Sequence, residues 1–295
     1  MRRRKRKGFF VLYGPPGGGK STEVAIACQK AVVIQSAPDN FQMYEMWLKK
    51  PGRDPKYTLP ARPIHIDQYN IDGKSTFGPN GEPLPINMKD TLESMFRRVV
   101  TKTAQEVNAG RPPPYEYFVV DELSYYWNLV FREIVPTCLT AKGSLDTLKA
   151  HNVMSMWSEQ QLNYLKQLIP LGVGVDLITH QQEADPEKDR MGGPKIVNQA
   201  IAGYLCMYAS GVLYRHVVKS ENDEVGANLL DNTAPVVVVP KSKLPDRRWS
   251  VFISPDQHAK LRGVSDEMLP ELEKKSLEEI KSIAGYDDAF TSVDQ

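Results

Sequence analysis

Short runs of apolar residues alternate along the chain with longer stretches of mixed polar and apolar character. Such apolar runs are typical of strands buried on both faces. The mixed stretches are typical of helices packed on a sheet. The runs predict strands over Phe9–Tyr13, Ala31–Gln35, Tyr117–Asp121, Gly174–Thr179, Gly211–Val218, Pro235–Val239 and Trp249–Ile253, with a first helix over Ser21–Lys30. This alternation predicts an α/β fold with a mostly parallel central β-sheet flanked by helices.

Two regions interrupt the alternation. The segment of about residues 49–85 is rich in Pro and Gly and is interpreted as an insertion, with a short strand at Ile64–Asp67. The segment Gln182–Pro194 is a polar loop directly after a core strand, where functional loops commonly lie. The predicted organisation is a basic arm at 1–8, a core at 9–255 that contains the insertion, and an acidic tail at 256–295.

Composition supports a folded chain and sets limits on its class. Of the 295 residues, 41% are hydrophobic and 25% charged, which excludes intrinsic disorder and collagen-like structure. The three cysteines, Cys28, Cys138 and Cys206, stand far apart, so neither a zinc site nor a disulfide framework is indicated. We therefore expect a reducing, cytoplasmic location, with no secretory signal.

One uncharged stretch, between Lys195 and Arg215, is near the lower length limit for a membrane helix. It contains Asn198, Gln199 and two glycines, and a buried helix leading into a buried strand fits it better. We therefore predict no membrane association.

The most specific motif follows the first predicted strand. Residues 14–21 read GPPGGGKS, which is G-x-x-x-x-G-K-[ST] between a strand and a helix. Glycines let main-chain N–H groups surround phosphates, and the helix presents its positive end to the anion. Lys20 is predicted to reach the β- and γ-phosphates of ATP and Ser21 to bind Mg²⁺. The predicted nucleotide-binding residues are Gly14, Pro15, Pro16, Gly17, Gly18, Gly19, Lys20, Ser21 and Thr22.

Two further strands end in polar residues that suit the same chemistry. The strand Tyr117–Asp121 ends in Asp121-Glu122, as a Walker B element does. Asp121 would hold the Mg²⁺ shell and Glu122 would act as general base on the attacking water. The strand beginning at Gly174 continues into His180 and Gln181, and either side chain would face the γ-phosphate at the carboxyl edge of the sheet.

The segment from Leu177 to Pro245 resembles the second half of a RecA-type recombinase core. It carries a strand ending in His180-Gln181, a polar loop with Gly192-Gly193, the run YASGVLYR at 208–215, and KSK at 241–243, in the family's order. The chain is also similar to phage-encoded, core-only members associated with single-strand annealing and recombination, across about residues 8–255.

The resemblance implies roles for several of these residues. Gln181 or His180 would be the γ-phosphate sensor, and Gln182–Pro194 the second DNA-binding loop. Lys241 and Lys243 would reach the nucleotide of a neighbouring subunit, as an arginine finger does in trans. Residues 35–39, where the family carries its catalytic Glu, read QSAPD. Either Glu122 takes that role or hydrolysis is slow.

Charge points to the partners. Six consecutive cations at Arg2–Lys7 suit a nucleic-acid backbone, whereas the tail from Val264 has nine acidic and three basic residues. The aromatic run Tyr125-Tyr126-Trp127 offers surfaces for base stacking or is part of the core. The leading hypothesis is a RecA-like ATPase that acts on DNA, most readily single-stranded, as a homo-oligomer or filament. An AAA+-like ATPase with a protein client and a small-molecule kinase are the alternatives.

Overall fold

The computed structural model describes residues 7–16, 18–28, 30–35, 64–65, 87–182, 193–197, 199–218, 246–250, 260–261, 272 and 275–286. Gly17, Lys241 and Lys243 lie outside these residues. So do the predicted strand at 235–239, the arm at 2–6, most of the 49–85 insertion, and residues 183–192 of the polar loop.

From residue 9 to residue 218 the described strands and helices follow the predicted alternation, whereas the strand predicted at Trp249–Ile253 is described at Asp246–Ser250. The strands are β1 (Phe9–Gly14), β2 (Ala31–Gln35), β3 (Ile64–His65), β4 (Tyr117–Asp121), β5 (Gly174–Gln182), β6 (Gly193–Pro194), β7 (Gly211–Val218), β8 (Asp246–Ser250) and β9 (Lys260–Leu261). The helices are α1 (Lys20–Ala27), α2 (Met88–Asn108), α3 (Leu123–Ile134), α4 (Thr147–Lys166), α5 (Gln199–Tyr208) and α6 (Leu277–Ile283), with a 3₁₀ turn at Val135–Thr137.

The strands form one sheet in the order β3-β2-β4-β5-β1-β7-β8, with β6 added to β5 and β9 to β7. All pairings from β3 to β7 along this order are parallel, and β6, β8 and β9 are antiparallel additions. The predicted mostly parallel α/β sheet is therefore confirmed. The strand β1 lies between β5 and β7, so it is fully buried.

Helices cover both faces of the sheet. One face carries α2, α3, α4 and α5, which pack on alternate residues of β1 and β4 such as Val11 and Phe118. The other face carries α1 and α6, which pack on the intervening residues such as Leu12 and Val119. Strands buried on both faces explain why β1 and β4 are continuous apolar runs rather than alternating ones.

The described part of the acidic tail packs on the core. Leu272, Leu277 and Ile280 join the cluster formed by α1 and one face of β1, and Tyr286 meets the ring of Phe10 edge-on at 5.1 Å. These residues of the predicted acidic tail are therefore part of the folded core.

Two predictions about apolar residues have clear outcomes. Tyr126 and Trp127 are fully buried in the core, so only Tyr125 of the aromatic run is exposed. The stacking hypothesis is wrong for the two buried rings, because no base could reach them. The uncharged stretch forms α5 and the start of β7, and no helix among the described residues is long and apolar enough to cross a membrane.

Candidate functional site

The candidate site lies where the carboxyl ends of the central parallel strands meet. In the strand register, Gly14 at the end of β1 pairs with His180 of β5, and Asp121 at the end of β4 pairs with Ile178 of β5. Parallel strands bring residues from distant parts of the chain to one sheet edge, and ligands of such sheets bind at that edge. The sequence motifs at 14–21, 121–122 and 180–181 are therefore brought together.

The loop after β1 has a backbone that requires glycine at two positions. Gly19 has φ 80°, in the left-handed region, and it precedes α1 as the N-cap. Gly14 has φ 153°, and a Cβ there would collide with the carbonyl oxygen of Arg215 on β7. The loop is further closed by a hydrogen bond of 3.3 Å from the N–H of Gly18 to the carbonyl of Pro15.

The first turn of α1 faces this loop with its main-chain donors. The first helical hydrogen bond runs from the N–H of Glu23 to the carbonyl of Gly19 at 3.1 Å, so the N–H groups of Lys20, Ser21 and Thr22 precede the helical ladder. The N-cap Gly19 has no side chain with which to cap them. Ser21 and Thr22 are half-buried in this turn. A helix start of this kind suits an anion.

Lys20 folds back over the loop. Its ammonium donates to the carbonyls of Gly14 at 3.0 Å and Pro15 at 2.9 Å, and the residue is buried. Burial lowers the pKa of Lys20, and the carboxylates of Glu122 and Asp121 act in the opposite direction. The ammonium therefore lies within electrostatic reach of both acids at the end of β4.

Glu122 and His180 form a close pair across the site. The Oε2 atom of Glu122 lies 2.6 Å from Nε2 of His180, while Asp121 is buried at the strand end beside them. The other polar atoms of the pair, Oε1 of Glu122 and Nδ1 of His180, are buried without a hydrogen-bond partner among the described residues. A buried orphan oxygen and a buried orphan nitrogen mark this pair as able to take further hydrogen bonds.

Neighbouring side chains hold the carboxyl end of β5 in place. The hydroxyl of Ser124, in the first turn of α3, accepts a hydrogen bond of 3.1 Å from the N–H of His180. The hydroxyl of Tyr214 on β7 donates to Oε1 of Gln181 at 2.9 Å. Gln181 is thus tied to β7, whereas His180 is tied to Glu122. Of the two sensor candidates, His180 contacts the acidic pair directly.

These residues fit a nucleotide and Mg²⁺. The glycine-shaped loop, the start of α1 and the ammonium of Lys20 offer donors for phosphate oxygens. The hydroxyl of Ser21 and the carboxylate of Asp121 are oxygen ligands of the type that Mg²⁺ uses alongside substrate phosphates. No cluster of three or more His, Cys, Asp or Glu side chains suited to a metal occurs in the described ranges.

Sequence reasoning missed Arg215 and Glu23. Arg215 on β7 is buried, and its guanidinium donates to the carbonyl of Gly18 and to Glu23 on α1. Arg215 appeared in the sequence only as the last residue of an apolar strand motif. Its register position, one residue beyond the pairing of Tyr13 with Tyr214, was the signal that could have placed it beside the loop.

The fold and site together define an α/β protein with a strand, a glycine-rich loop and a helix at the carboxyl edge of a parallel sheet. Among solved structures, the chain is similar to one titled "Crystal structure of the RadB recombinase", with 14% identity, a TM-score of 0.37, and coverage of 73% of this chain and 77% of that one. A likeness this distant carries no argument about function. No family model matches the chain, and no curated protein matches it.

Proposed function

We propose that this chain is a RecA-like P-loop ATPase that acts on DNA in recombination, annealing, repair or replication. The observation that carries the proposal is the convergence at one sheet edge of Lys20, Asp121 and the Glu122–His180 pair, in which the carboxylate and imidazole lie 2.6 Å apart. Phosphate-binding donors, a metal-binding carboxylate and a base in one place are the parts that ATP hydrolysis requires.

Each residue has a distinct role in this proposal. The N–H groups of the loop and of the first turn of α1 bind the phosphates, and Lys20 leaves its loop carbonyls to neutralise the β- and γ-phosphates. Ser21 and Asp121 would hold Mg²⁺, which neutralises charge on the β- and γ-oxygens when bound.

Glu122 is the proposed general base. Its carboxylate accepts the proton of the attacking water, and the imidazole of His180 fixes the orientation of that carboxylate. His180 also lies at the sheet edge where we place the γ-phosphate. A movement of His180 on loss of that phosphate would reach the carboxylate of Glu122 through the 2.6 Å contact between them. The pair thereby combines the roles of base and sensor that the sequence assigned to separate residues.

DNA as the partner rests on the sequence. The motif order that resembles RecA-type recombinases, the loop at 182–194 and the cations at Arg2–Lys7 support it. Lys241 and Lys243 support assembly into a homo-oligomer or filament with nucleotide between subunits. Residues 2–6, residues 183–192 of the loop, Lys241 and Lys243 lie outside the described residues.

A second candidate is an AAA+-like ATPase with a protein client, such as a helicase loader, a packaging motor or an assembly factor. It is favoured by the position of Glu122, which directly follows Asp121 at the end of β4 and contacts His180. No Glu occurs in residues 35–39 to serve as the base that the RecA resemblance implies.

The test is the ATPase rate with and without single-stranded DNA, for the native chain and for Lys20→Ala. We expect single-stranded DNA to stimulate the native rate several-fold. The ATPase rate of Lys20→Ala should be lower than the native rate by roughly 10²-fold or more, because the ammonium that neutralises the transferring phosphate is gone. Lys102→Ala, an exposed lysine on α2, is the matched control and should retain the native rate.

Other outcomes separate the alternatives. Stimulation by a protein partner but not by DNA would favour the second candidate, and phosphate transfer to a metabolite would favour a kinase. A calorimetric titration that shows no binding of ATP–Mg²⁺ would overturn the ATPase proposal itself.

A further inference from the structure

We propose that Arg215 is a positioning residue for the phosphate loop, and that helix α6 holds Arg215 in place through Glu23. This inference rests on the proposed function, because it assigns the loop to phosphate binding. It adds a connection from the loop to a helix formed more than 250 residues later in the chain.

The first contact joins β7 to the loop. The Nε atom of Arg215 donates to the carbonyl of Gly18 at 3.3 Å, and both groups are buried. The main-chain carbonyl of the same residue occupies the space where a Cβ of Gly14 would lie. Arg215 therefore supports the loop at two points, one through its side chain and one through its backbone.

This contact sets the direction of a donor. In a planar trans peptide the C=O and the following N–H point in opposite directions. Because the Gly18 carbonyl is held toward Arg215, the N–H of Gly19 is directed away from it. The proposal assigns that N–H to the phosphates, together with those of the first turn of α1.

The second contact joins Arg215 to α1 and α6. Its Nη2 atom lies 3.4 Å from Oε1 of Glu23, and Oε2 of Glu23 accepts a hydrogen bond of 3.2 Å from the N–H of Leu277. One carboxylate thus spans the guanidinium and the first residue of α6. It also balances the charge of a buried guanidinium, which would otherwise be costly.

Helix α6 has its own anchors, so the N–H of Leu277 is a fixed donor. Lys281 lies 2.6 Å from Asp176 of β5, and both side chains are buried. Leu277 and Ile280 are fully buried against α1 and the sheet. Helix α6 therefore has anchors other than Glu23, and its Leu277 N–H is in place to orient the Glu23 carboxylate.

The sharpest test compares Leu277→Pro with Leu277→Ala. Both remove the buried Leu side chain, but only Pro removes the N–H that Glu23 accepts. Leu277 is the first residue of its helix, a position where Pro is well tolerated. The preceding Ser276 has φ −66° and ψ 160°, which is the conformation favoured before Pro. The difference between the variants therefore reports the loss of this hydrogen bond together with the ring that takes the place of the N–H.

The first readout is amide hydrogen exchange of the loop in nucleotide-free protein. We expect the hydrogen-bonded amides of Gly18 and Glu23 to exchange about 3- to 10-fold faster in Leu277→Pro than in Leu277→Ala, which corresponds to one weakened hydrogen bond. This readout needs no ATP, so it tests the connection even if the proposed function fails. Equal exchange in the two variants would overturn the connection.

The second readout separates positioning from stability. A loop that binds phosphate equally in the ground and transition states affects KM and not kcat. We expect Leu277→Pro to raise the KM for ATP several-fold over Leu277→Ala, with kcat within about 2-fold. If the two variants differ in amide exchange as expected but the native chain does not bind ATP, the connection between α6 and the loop stands and the ATPase proposal is overturned.

If Leu277→Pro fails to fold, Glu23→Gln replaces it in the exchange experiment, because Gln keeps the shape of the Glu side chain and removes its charge. Its matched control is Glu106→Gln, which weakens an Arg–Glu pair with Arg111 on the surface and should leave loop exchange unchanged. Arg215→Lys should restore part of the loop protection that Arg215→Met loses, because Lys can bond the Gly18 carbonyl or Glu23 but lacks the planar fork. Equal exchange in Glu23→Gln and the native chain would contradict the proposal.

Discussion

At the scale of single residues, the two oxygens of the Glu122 carboxylate have different surroundings. One oxygen contacts His180 at 2.6 Å, and the other is buried without a hydrogen-bond partner among the described residues. An amide in this position would keep the shape and the contact with His180, but it would be a far weaker proton acceptor.

Glu122→Gln should therefore separate binding from hydrolysis. We expect ATP affinity within about 3-fold of the native value and a turnover lower by roughly 10²- to 10⁴-fold. Calorimetry and single-turnover hydrolysis measure the two quantities. Glu116→Gln, just before the amino end of β4, is the control. Unchanged turnover in Glu122→Gln would remove its role as base.

The pKa of Cys28 supplies a prediction about pH. Burial, and after it the Asp176 carboxylate, raises the pKa of this thiol well above its usual 9.0. The pKa of Lys281 is also raised: burial acts to lower it, but Asp176 and Cys28 together outweigh burial. In the unfolded chain the Cys28 thiol would lose its proton near pH 9, whereas the folded chain keeps it.

The folded chain therefore binds more protons than the unfolded chain above about pH 9, so its free energy of unfolding should fall as pH rises. The slope from Cys28 is at most about 1.4 kcal/mol per pH unit. Urea unfolding between pH 8 and pH 10.5 measures it. Cys28→Ala should flatten the curve more than Cys138→Ala, which lies on the other face of the sheet. A slope that Cys28→Ala leaves intact would contradict this assignment.

At the scale of elements, helix α6 is attached by a buried ion pair. Lys281 lies 2.6 Å from Asp176 and donates to the sulfur of Cys28 at 3.6 Å. Removing one partner of a buried pair leaves the other charge without compensation.

Lys281→Met should lower the free energy of unfolding by about 3–5 kcal/mol. Adding Asp176→Asn should recover part of this loss, because no unpaired carboxylate then remains in the core. Chemical denaturation measures both variants. Lys275→Met removes an exposed ion pair with Glu279 and should cost less than about 1 kcal/mol. A loss from Lys281→Met no larger than this control would mean that the pair does not hold α6.

The elements also show what the sequence could and could not predict. The strands β1, β4 and β7 were predicted within one residue, because strands buried on both faces are continuous apolar runs. The aromatic run in α3 was ambiguous, since a Tyr or Trp is compatible with either a core or a stacking surface. Lys281 was read as part of an acidic tail, because its partner Asp176 lies 105 residues away.

The candidate site also has one part that the sequence predicts and one part that it does not. The loop at 14–21 and the pair at 121–122 carry local motifs, and the structure brings them together at one edge. The contact of Arg215 with Gly18 spans 197 residues, so no local pattern contains it. Only the sheet register places the two side by side.

At the scale of the whole molecule, the proposed ATPase is expected to assemble with nucleotide between subunits. Lys241 would then act on the nucleotide of its neighbour, as a cation supplied in trans. In mixtures of native and Lys241→Ala chains, we expect activity to fall more steeply than the native fraction. Sizing with a non-hydrolysable ATP analogue should show larger species than without it. A strictly proportional loss would contradict a role in trans.

The central strand β1 has both of its partners in the second half of the chain. Phe9 and Phe10 pair with Val175 and Gly211, far downstream. During synthesis β1 therefore remains without its second partner strand until β7 has left the ribosome. A nascent chain that stops before residue 218 cannot complete the sheet around β1. The strand β1 is thus translated before both of its partners and reaches its native place only after them, so its apolar surface is a target for chaperones in the meantime.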